Sequence, residues 1–224
     1  MEYHENYKKL FDYFKTFPGI GKRQAERFVY HVLAKDFVWV NGFIKEIENS
    51  RKNIHECVDC FRIFKNSNSN EPLCERCRSN ALDESVIAVV EKNIDGENFI
   101  EKTNFLGRVF ILGGVYPVIE KKARARVRLE ELIKLVRNIL SKDNTQLREI
   151  ILCTSLTNDG MFTASVIRQK LKELVDEAKI QTLNKDLNIK ITTLGRGFST
   201  GTEMEYADKE TLLNALQNRS ENII

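Results

Sequence analysis

Two pairs of cysteines place the strongest constraint on how this chain can fold. Cys57 and Cys60 form the sequence CVDC, and thirteen residues later Cys74 and Cys77 form CERC. Two CxxC pairs at this separation can supply four thiolates to one tetrahedral zinc ion. Because the intervening FRIFKNSNSNEPL has few apolar residues, metal binding would provide the free energy that folds it. Sulfur would fill all four positions, so the predicted zinc site is structural.

Two other interpretations of the cysteines are less favoured. A single CxxC pair could be redox-active, but a redox site does not require a second pair. Disulfides are not expected, because the chain begins with a polar, charged segment and has no apolar run that could direct secretion or span a membrane. We therefore expect a cytoplasmic protein. Cys153, in the apolar run REIILC, is predicted to be a buried strand residue.

A glycine hairpin is predicted between two helices near the amino terminus, within FPGIGKRQAERFVYHVL. Gly19 and Gly21 can adopt the positive φ angles of a tight turn, and neither has a Cβ that would block a close approach. Apolar residues before the turn predict a first helix that ends by Pro18. Those after it have the spacing of one buried helix face: Ala25, Phe28, Val29, Val32 and Leu33.

Cations surround the start of the second helix. Lys22 and Arg23 lie beside the unpaired N–H groups of its first turn, which favour a phosphate group. Arg27 lies one turn beyond Arg23, and both are off the apolar face. Phosphate contacts position a protein on nucleic acid without reading sequence. The pattern predicts a helix-hairpin-helix that binds a DNA backbone; the alternative is a helix pair with solvated cations.

The overall charge limits where nucleic acid could bind. The 224 residues are 42% hydrophobic and 30% charged, and the net charge is only +3. Affinity for DNA must therefore come from local patches. A second basic run covers Lys121 to Arg128, for which both a DNA contact and an exposed helix face remain open.

Apolar strands alternate with helices from Ser85 onward, which predicts a mainly parallel four-stranded sheet covered on both faces. The predicted strands are SVIAVV, RVFIL, REIILC and NIKITTL, and the predicted helices are 96–105, 123–140, 160–179 and a last one over 209–217. In such sheets function gathers at the carboxyl ends of the strands.

Two carboxylates lie at the predicted functional edge of the sheet. Glu91 directly follows the first strand, and Asp159 lies in the loop after the third. A Mg²⁺-dependent nuclease usually needs three acidic oxygen ligands, and no histidine-activated nucleophile lies nearby. We therefore predict no catalytic residues. The later segment GRGFSTGTEMEYAD lacks the GK[ST] ending of a P-loop, which favours a structured loop or subunit contact over ATP binding.

Taken in their order along the chain, from the glycine hairpin to the segment that ends in EYAD, the motifs resemble the RecR family of bacterial recombination mediators over almost the whole chain. FPGIGKRQAERF is similar to the family's hairpin, CVDC and CERC to its zinc finger, SVIAVVE to the opening of its Toprim domain, and EYAD to its carboxyl-terminal signature. The resemblance implies a helix-hairpin-helix domain (1–55), a four-cysteine zinc finger (56–79), a Toprim domain (80–200) and a carboxyl-terminal element with a helix (201–224), an α/β protein overall.

The resemblance also implies a function. Family members are non-catalytic clamps that form rings, usually tetramers, around single- or double-stranded DNA. They act with RecO, and in some bacteria RecF, to load RecA where single-strand-binding protein coats a gap. By motif position, Arg23 and Arg27 match the basic hairpin residues, and the four cysteines match the zinc ligands. Glu91 matches the Toprim glutamate associated with partner binding, and Asp159 matches one of the acids downstream.

Three departures mark a divergent member. The family's HGxISP stretch is reduced to GGVYP, the basic EKKARARVR replaces a Gly-rich acidic segment, and the loop ATNP reads CTSLTNDGMF. Two rival functions stay open beside the mediator: a Mg²⁺-dependent Toprim enzyme such as a nuclease, primase or topoisomerase-like protein, and a zinc-dependent adaptor that binds proteins without contacting DNA.

Overall fold

The structure is a computed structural model that describes residues 5–65, 72–119, 127–141, 146–181, 187–195, 201 and 203–218. The chain divides into two compact units. The first contains Met1–His55 with Lys65–Ser67, and the second contains Glu56–Phe64 with Asn68–Ile224. The four paired cysteines therefore belong to the same unit as the alternating strands and helices.

The first unit is built from three helices: α1 (Glu5–Lys15), α2 (Lys22–Leu33) and α3 (Phe37–Asn53). Phe14 of α1 packs against Phe28 of α2, with ring centroids 5.5 Å apart. Ala25 and Val29 are completely buried. The predicted helix pair is thus confirmed. The placement of Leu33 on the buried face was wrong, because this side chain in the last turn of α2 is 62% exposed.

The elements after α3 begin with two short paired strands and continue as alternating strands and helices. In chain order they are β1 (Ile54–Glu56), β2 (Ile63–Lys65), α4 (Glu75–Arg78), β3 (Asp83–Val90), α5 (Asn93–Thr103), β4 (Gly107–Ile111), α6 (Leu129–Leu140), β5 (Glu149–Cys153), α7 (Asn158–Gln181), β6 (Lys190–Thr193), a 3₁₀ turn (Met204–Tyr206) and α8 (Lys209–Gln217).

The main sheet has the strand order β4-β3-β5-β6, and all neighbouring strands are parallel. Ala88 of β3 pairs with Val109 on one side and Ile151 on the other. In the described part of the chain, β4 and β6 are the sheet edges. The predicted parallel four-stranded sheet is confirmed, and its carboxyl edge collects the loops after each strand.

Helices cover both faces of this sheet. On one face, Phe110 and Ile150 pack in a core with Leu132 of α6 and Ile167 of α7. On the other face the strands pack against α5, through a smaller core that contains Ala88, Val90, Val109, Ile111, Phe99 and Ile100. Because β3 and β4 contribute side chains to both cores, their sequences are nearly continuous runs of apolar residues.

Some predicted bounds shift. Helix α6 begins at Leu129 rather than at position 123, and positions 123–126 lie outside the described residues, as do Lys121, Lys122, Arg124 and Arg126 of the basic run. Helix α5 begins at Asn93, and α7 begins at Asn158 and continues to Gln181. The last helix has its predicted bounds. Within the described residues, no helix combines the length and apolarity needed to cross a membrane.

Gly107 gives a test of the sheet packing. An ideal Cβ built there would lie 2.5 Å from Cγ1 of Val86 and 2.7 Å from its backbone oxygen. We expect Gly107→Ala to lower the free energy of unfolding by about 1–3 kcal/mol, since the strands must separate to admit the methyl group. Gly195→Ala is the control, because no atom lies within 4 Å of its ideal Cβ. Equal urea midpoints for the two variants would contradict this packing.

Candidate functional site

The four paired cysteines form one compact cluster. Their Sγ atoms all lie within 4.8 Å of one another, and those of Cys60 and Cys74 are 3.6 Å apart. Cys57, Cys60 and Cys74 are buried, and none of the protein's five cysteines forms a disulfide. A tetrahedral zinc ion with bonds of about 2.3 Å places its sulfur ligands about 3.8 Å apart, so this donor set fits such an ion.

Tight turns present the sulfur atoms to the centre of the cluster. After the first cysteine, the backbone N–H of Phe61 donates to the carbonyl of Cys57 at 3.0 Å, and Phe61 itself has a φ of +60°. In the second pair, Cys74 precedes the first residue of α4, and its N–H donates to the sulfur of Cys57 at 3.4 Å. Each CxxC pair therefore folds as a separate knuckle that faces the other.

The thiols of the cluster also perturb one another's ionisation. Hydrogen bonding with Cys60, and then with Cys74 and Cys77, holds the pKa of Cys57 far below its ordinary value. Hydrogen bonding with Cys57 first, and then with the other two thiols, raises the pKa of Cys60. The pKa of Cys74 is lowered as well, to about 6, whereas that of Cys77 is raised, so two thiols ionise readily and two resist ionisation. A cation among the four sulfurs is required for all of them to be ionised together.

The residues around the cluster, 56–64 and 72–79, are here called the cysteine module, and they pack on the edge of the main sheet. The N–H of Ile111 in β4 donates to the carbonyl of Cys60 at 2.9 Å. Arg76 donates from Nη2 to the carbonyl of Gly107 at 2.8 Å and also to the carbonyl of Phe105. These bonds satisfy polar groups that an edge strand would otherwise present to solvent.

Side chains reinforce this attachment. Arg62 forms a two-pronged ion pair with Glu97 of α5, at 2.7 and 2.9 Å from Nη2. Asn93 accepts a hydrogen bond from the N–H of Ile63 at 2.8 Å. The Nη1 atom of Arg108, in β4, lies 3.3 Å from the sulfur of Cys77. The module is therefore held to both β4 and α5.

Arg128, the described member of the basic run, takes part in the same attachment. Its guanidinium lies 4.9 Å from the centre of the Phe61 ring and forms an ion pair with Glu56. The Phe61 ring in turn packs edge-on against Phe110 in the core, at 5.4 Å. Arg128 is therefore neither a DNA contact nor part of an exposed helix face, the two interpretations left open for this run. Instead it contacts the cysteine module.

Glu91 and Asp159 lie at the carboxyl edge of the sheet, where each accepts a backbone hydrogen bond. Oε1 of Glu91, a residue only 8% exposed, accepts from the N–H of Ser155 at 2.6 Å. Oδ1 of Asp159 accepts from the N–H of Val118 at 3.0 Å. Among the described residues, the cysteine cluster is the one group of three or more potential metal ligands from His, Cys, Asp and Glu. Through its hydrogen bond, Glu91 contacts the loop after β5, and Asp159 contacts the segment after β4.

Gly160 explains how the loop after β5 approaches Glu91 so closely. An ideal Cβ at Gly160 would meet the carbonyl and hydroxyl oxygens of Ser155 and lie 3.0 Å from Oε1 of Glu91. Neither Ser155 nor Gly160 was predicted as a partner of Glu91. The glycine directly after Asp159 was the only signal in the sequence that backbone and side chains crowd there.

A cavity of about 530 Å³ opens beside Glu91, between the ends of β3 and β5 and helix α5. Lys92, Asp95 and Lys102 contribute charge to its wall, and Cys153 contributes a thiol. Burial raises the pKa of Cys153 to about 12, so this residue is a neutral thiol at physiological pH. The predicted strand position of Cys153 is confirmed, at the last residue of β5 and partly buried.

The glycine hairpin presents its cations to solvent. Gly19 has a φ of +75°, as predicted for the turn. The expectation that Gly21 shares this conformation was wrong: its φ is −83°, because it precedes the first residue of α2 with an extended backbone. No side chain caps this helix start, and its first turn contains no acidic residue. Lys22, Arg23 and Arg27 are exposed, and Arg27 donates to Gln24 at 3.2 Å.

Comparison with known proteins matches residues 85–183 to the Toprim domain. The chain is also similar to proteins named "Recombination protein RecR". That of Lacticaseibacillus casei is 31% identical over 221 residues, which are 99% of this chain and 100% of that protein. That of Cytophaga hutchinsonii is 34% identical over 204 residues, which are 91% and 88% of the two chains. That of Enterococcus faecalis is 28% identical over 221 residues, which are 99% of this chain and 100% of that protein.

Cys74→Ser tests whether the cysteine module depends on a metal. We expect the variant to lose the bound ion, to lose about 2 kcal/mol or more of unfolding free energy, and to exchange the amide hydrogen of Ile111 faster. Elemental analysis, urea unfolding and hydrogen exchange measure the three effects. Cys153→Ser, outside the cluster, should keep the metal and the protection of Ile111. Unchanged exchange in the metal-free variant would show that the module holds the sheet edge without the ion.

Proposed function

Because this chain belongs to the RecR family of recombination proteins, we propose that it is a non-catalytic mediator that binds the DNA backbone through its glycine hairpin. The observation that carries the proposal is the exposed cationic start of α2. Arg23 and Arg27 have exposed side chains one turn apart, beside an uncapped helix end without acidic residues. That arrangement attracts phosphate, and phosphate contacts position a protein on nucleic acid without reading its sequence.

The binding of one hairpin is expected to be weak. Each chain contributes only a few phosphate contacts, so the affinity falls steeply as salt displaces the protein's cations from the DNA. Joining several hairpins in one assembly raises their effective concentration along the same duplex or single strand. An assembly of several chains therefore provides the affinity that a single hairpin lacks.

We propose that the assembly is a tetrameric ring, and the surface of α3 supports self-association. None of its residues is buried within the chain, and Phe37 and Val38 in its first turn are 86% and 84% exposed. Trp39 and Phe43 stack on each other with ring centroids 5.4 Å apart, and both remain partly exposed. Apolar surface of this extent on one helix is typical of an interface.

We propose Zn²⁺ as the ion of the cysteine cluster, one per chain and with a structural role. Four sulfur ligands at these separations suit Zn²⁺ better than Mg²⁺ or Ca²⁺, which prefer oxygen. The ion would hold the two knuckles together and thereby keep in place the hydrogen bonds of the cysteine module to β4.

The carboxyl edge of the sheet is the proposed partner side. Glu91 and Asp159 lie there beside the 530 Å³ cavity, and we propose that they order the loops that contact RecO and, where it is present, RecF. The effects on RecA and on single-strand-binding protein would then be indirect. Both carboxylates already accept backbone N–H groups, which supports a role in positioning over a role in catalysis.

Arg23→Glu combined with Arg27→Glu tests the hairpin. We expect the dissociation constant for a labelled gapped duplex to rise at least about a hundredfold at low salt, because repulsion replaces the attraction of two arginines for phosphate. Fluorescence anisotropy across a salt titration, in the presence of Mg²⁺ or EDTA, measures this dissociation constant. The slope of log affinity against log salt should fall by about one for each phosphate that the variant no longer neutralises.

Lys134→Glu with Arg137→Glu is the matched control, since it makes the same change of charge at two exposed positions about one turn apart on α6, outside both the hairpin and α3. This pair should bind DNA far better than the hairpin variant. Intact binding by the hairpin variant would exclude the hairpin as the DNA site. Cleavage of the duplex in Mg²⁺ that disappears in Glu91→Gln would contradict the non-catalytic proposal.

Phe37→Asp tests self-association through α3. The side chain is exposed within the chain and lies in a first helical turn, where an acidic residue is favourable, so the fold should survive. We expect sedimentation to show a smaller assembly with an unchanged circular dichroism spectrum. Ile94→Asp is the control, because Ile94 is also exposed in the first turn of a helix, α5. An unchanged mass for Phe37→Asp would exclude this position from the interface.

A further inference from the structure

Arg168 is a cation on the inner side of α7 that no described residue neutralises. It directly follows the fully buried Ile167 and lies one turn from buried Ala164 and Leu171. Its Nε atom is buried and has no hydrogen-bond partner among the described residues. A buried polar group without a partner costs free energy, and such groups in native proteins are usually satisfied by a ligand, a water or an ion.

Arg168 lines a cavity of about 440 Å³ at the carboxyl ends of β5 and β6. Its wall combines hydroxyl-bearing and apolar side chains, and no Asp or Glu among the described residues lies in it. The residues that matter to the argument are Thr154, Ser165, Thr193, Leu152 and Leu194, together with Arg168. This cavity is distinct from the 530 Å³ cavity beside Glu91, although Thr154, Ser155 and Leu194 border both.

The chemistry of the wall selects the ligand. An arginine without an acidic neighbour attracts an anion, and its planar fork suits a carboxylate with two parallel hydrogen bonds. The leucine side chains favour an apolar group attached to that anion. No aromatic ring of the described residues lines the cavity, so it offers no platform on which a nucleobase could stack. A peptide carboxyl terminus with an apolar last side chain meets all three conditions.

We propose that this cavity binds the carboxyl terminus of a partner protein, with the terminal carboxylate on Arg168 and the last apolar side chain against Leu152 and Leu194. The site goes beyond the proposed DNA clamp and does not depend on it, because its residues lie in the second unit and the hairpin lies in the first. A chain that failed to bind DNA could still bind such a peptide.

The test uses the full-length, metal-loaded protein and two probes that differ in one group: acetyl-Leu-Leu as the free acid and as its carboxyl-terminal amide. Calorimetry measures affinity, and the NMR signal of the Arg168 Nε–H reports the site in the unmutated protein. We expect saturable binding of the acid with a shift of that signal. The amide should bind at least about tenfold more weakly, because it lacks the charge that a guanidinium pairs with.

Arg168→Gln should abolish the preference for the acid, and Arg137→Gln, at an exposed arginine of α6, should keep it. Circular dichroism confirms that each variant is folded. If Arg168→Gln does not fold, the Nε–H shift in the unmutated protein decides alone. The proposal is overturned if acid and amide bind equally, if the Nε–H signal does not move, or if thymidine 5′-phosphate or inorganic phosphate binds at Arg168 more tightly than the acid.

Discussion

The hydrogen bond from the N–H of Ile111 to the carbonyl of Cys60 joins the cysteine module to the parallel sheet. The other features of the second unit are built on these two parts. One end of this hydrogen bond belongs to a potential metal ligand and the other to the edge strand of the parallel sheet. Because an edge strand leaves a row of polar groups unpaired, it needs a cover, and here the cysteine module provides one. The cysteine cluster therefore acts on the sheet as well as on its own loop. The core of the sheet in turn supports the module through the Phe61 and Phe110 rings.

Two groups of arginines in this protein differ in a way that sequence alone does not show. Arg62, Arg76 and Arg128 bind acidic side chains or backbone carbonyls within the second unit. Arg23 and Arg27 lie on an exposed helix face, where their charge is available to a ligand. The difference follows from packing: the first group lies against the sheet and its helices, where an unpaired charge would be costly. A count of basic residues therefore overstates the surface that could bind nucleic acid.

Local chemistry was enough to predict most elements of the fold. The CxxC spacing predicted the cluster, the apolar runs predicted the four strands, and the GIG triplet predicted the turn before α2. The errors concern positions whose environment comes from distant residues. The φ of Gly21 depends on where α2 begins, and the exposure of Leu33 depends on what packs over the end of that helix. The hydrogen bond between Glu91 and Ser155 spans 64 positions, so no local pattern could indicate it.

The sequence by itself determined the class of fold, the cluster of four cysteines and the cationic turn, because each depends on residue types at short, regular spacings. The family relationship follows from the order of those motifs and from the similarity over nearly the whole chain. Only the tertiary structure decided that the cysteine module covers β4, that Glu91 and Asp159 accept backbone hydrogen bonds, and that Arg168 faces a cavity with no acidic neighbour among the described residues. These features arise where segments far apart in the chain are brought together by burial of the shared core, a non-directional force that residue spacing does not encode.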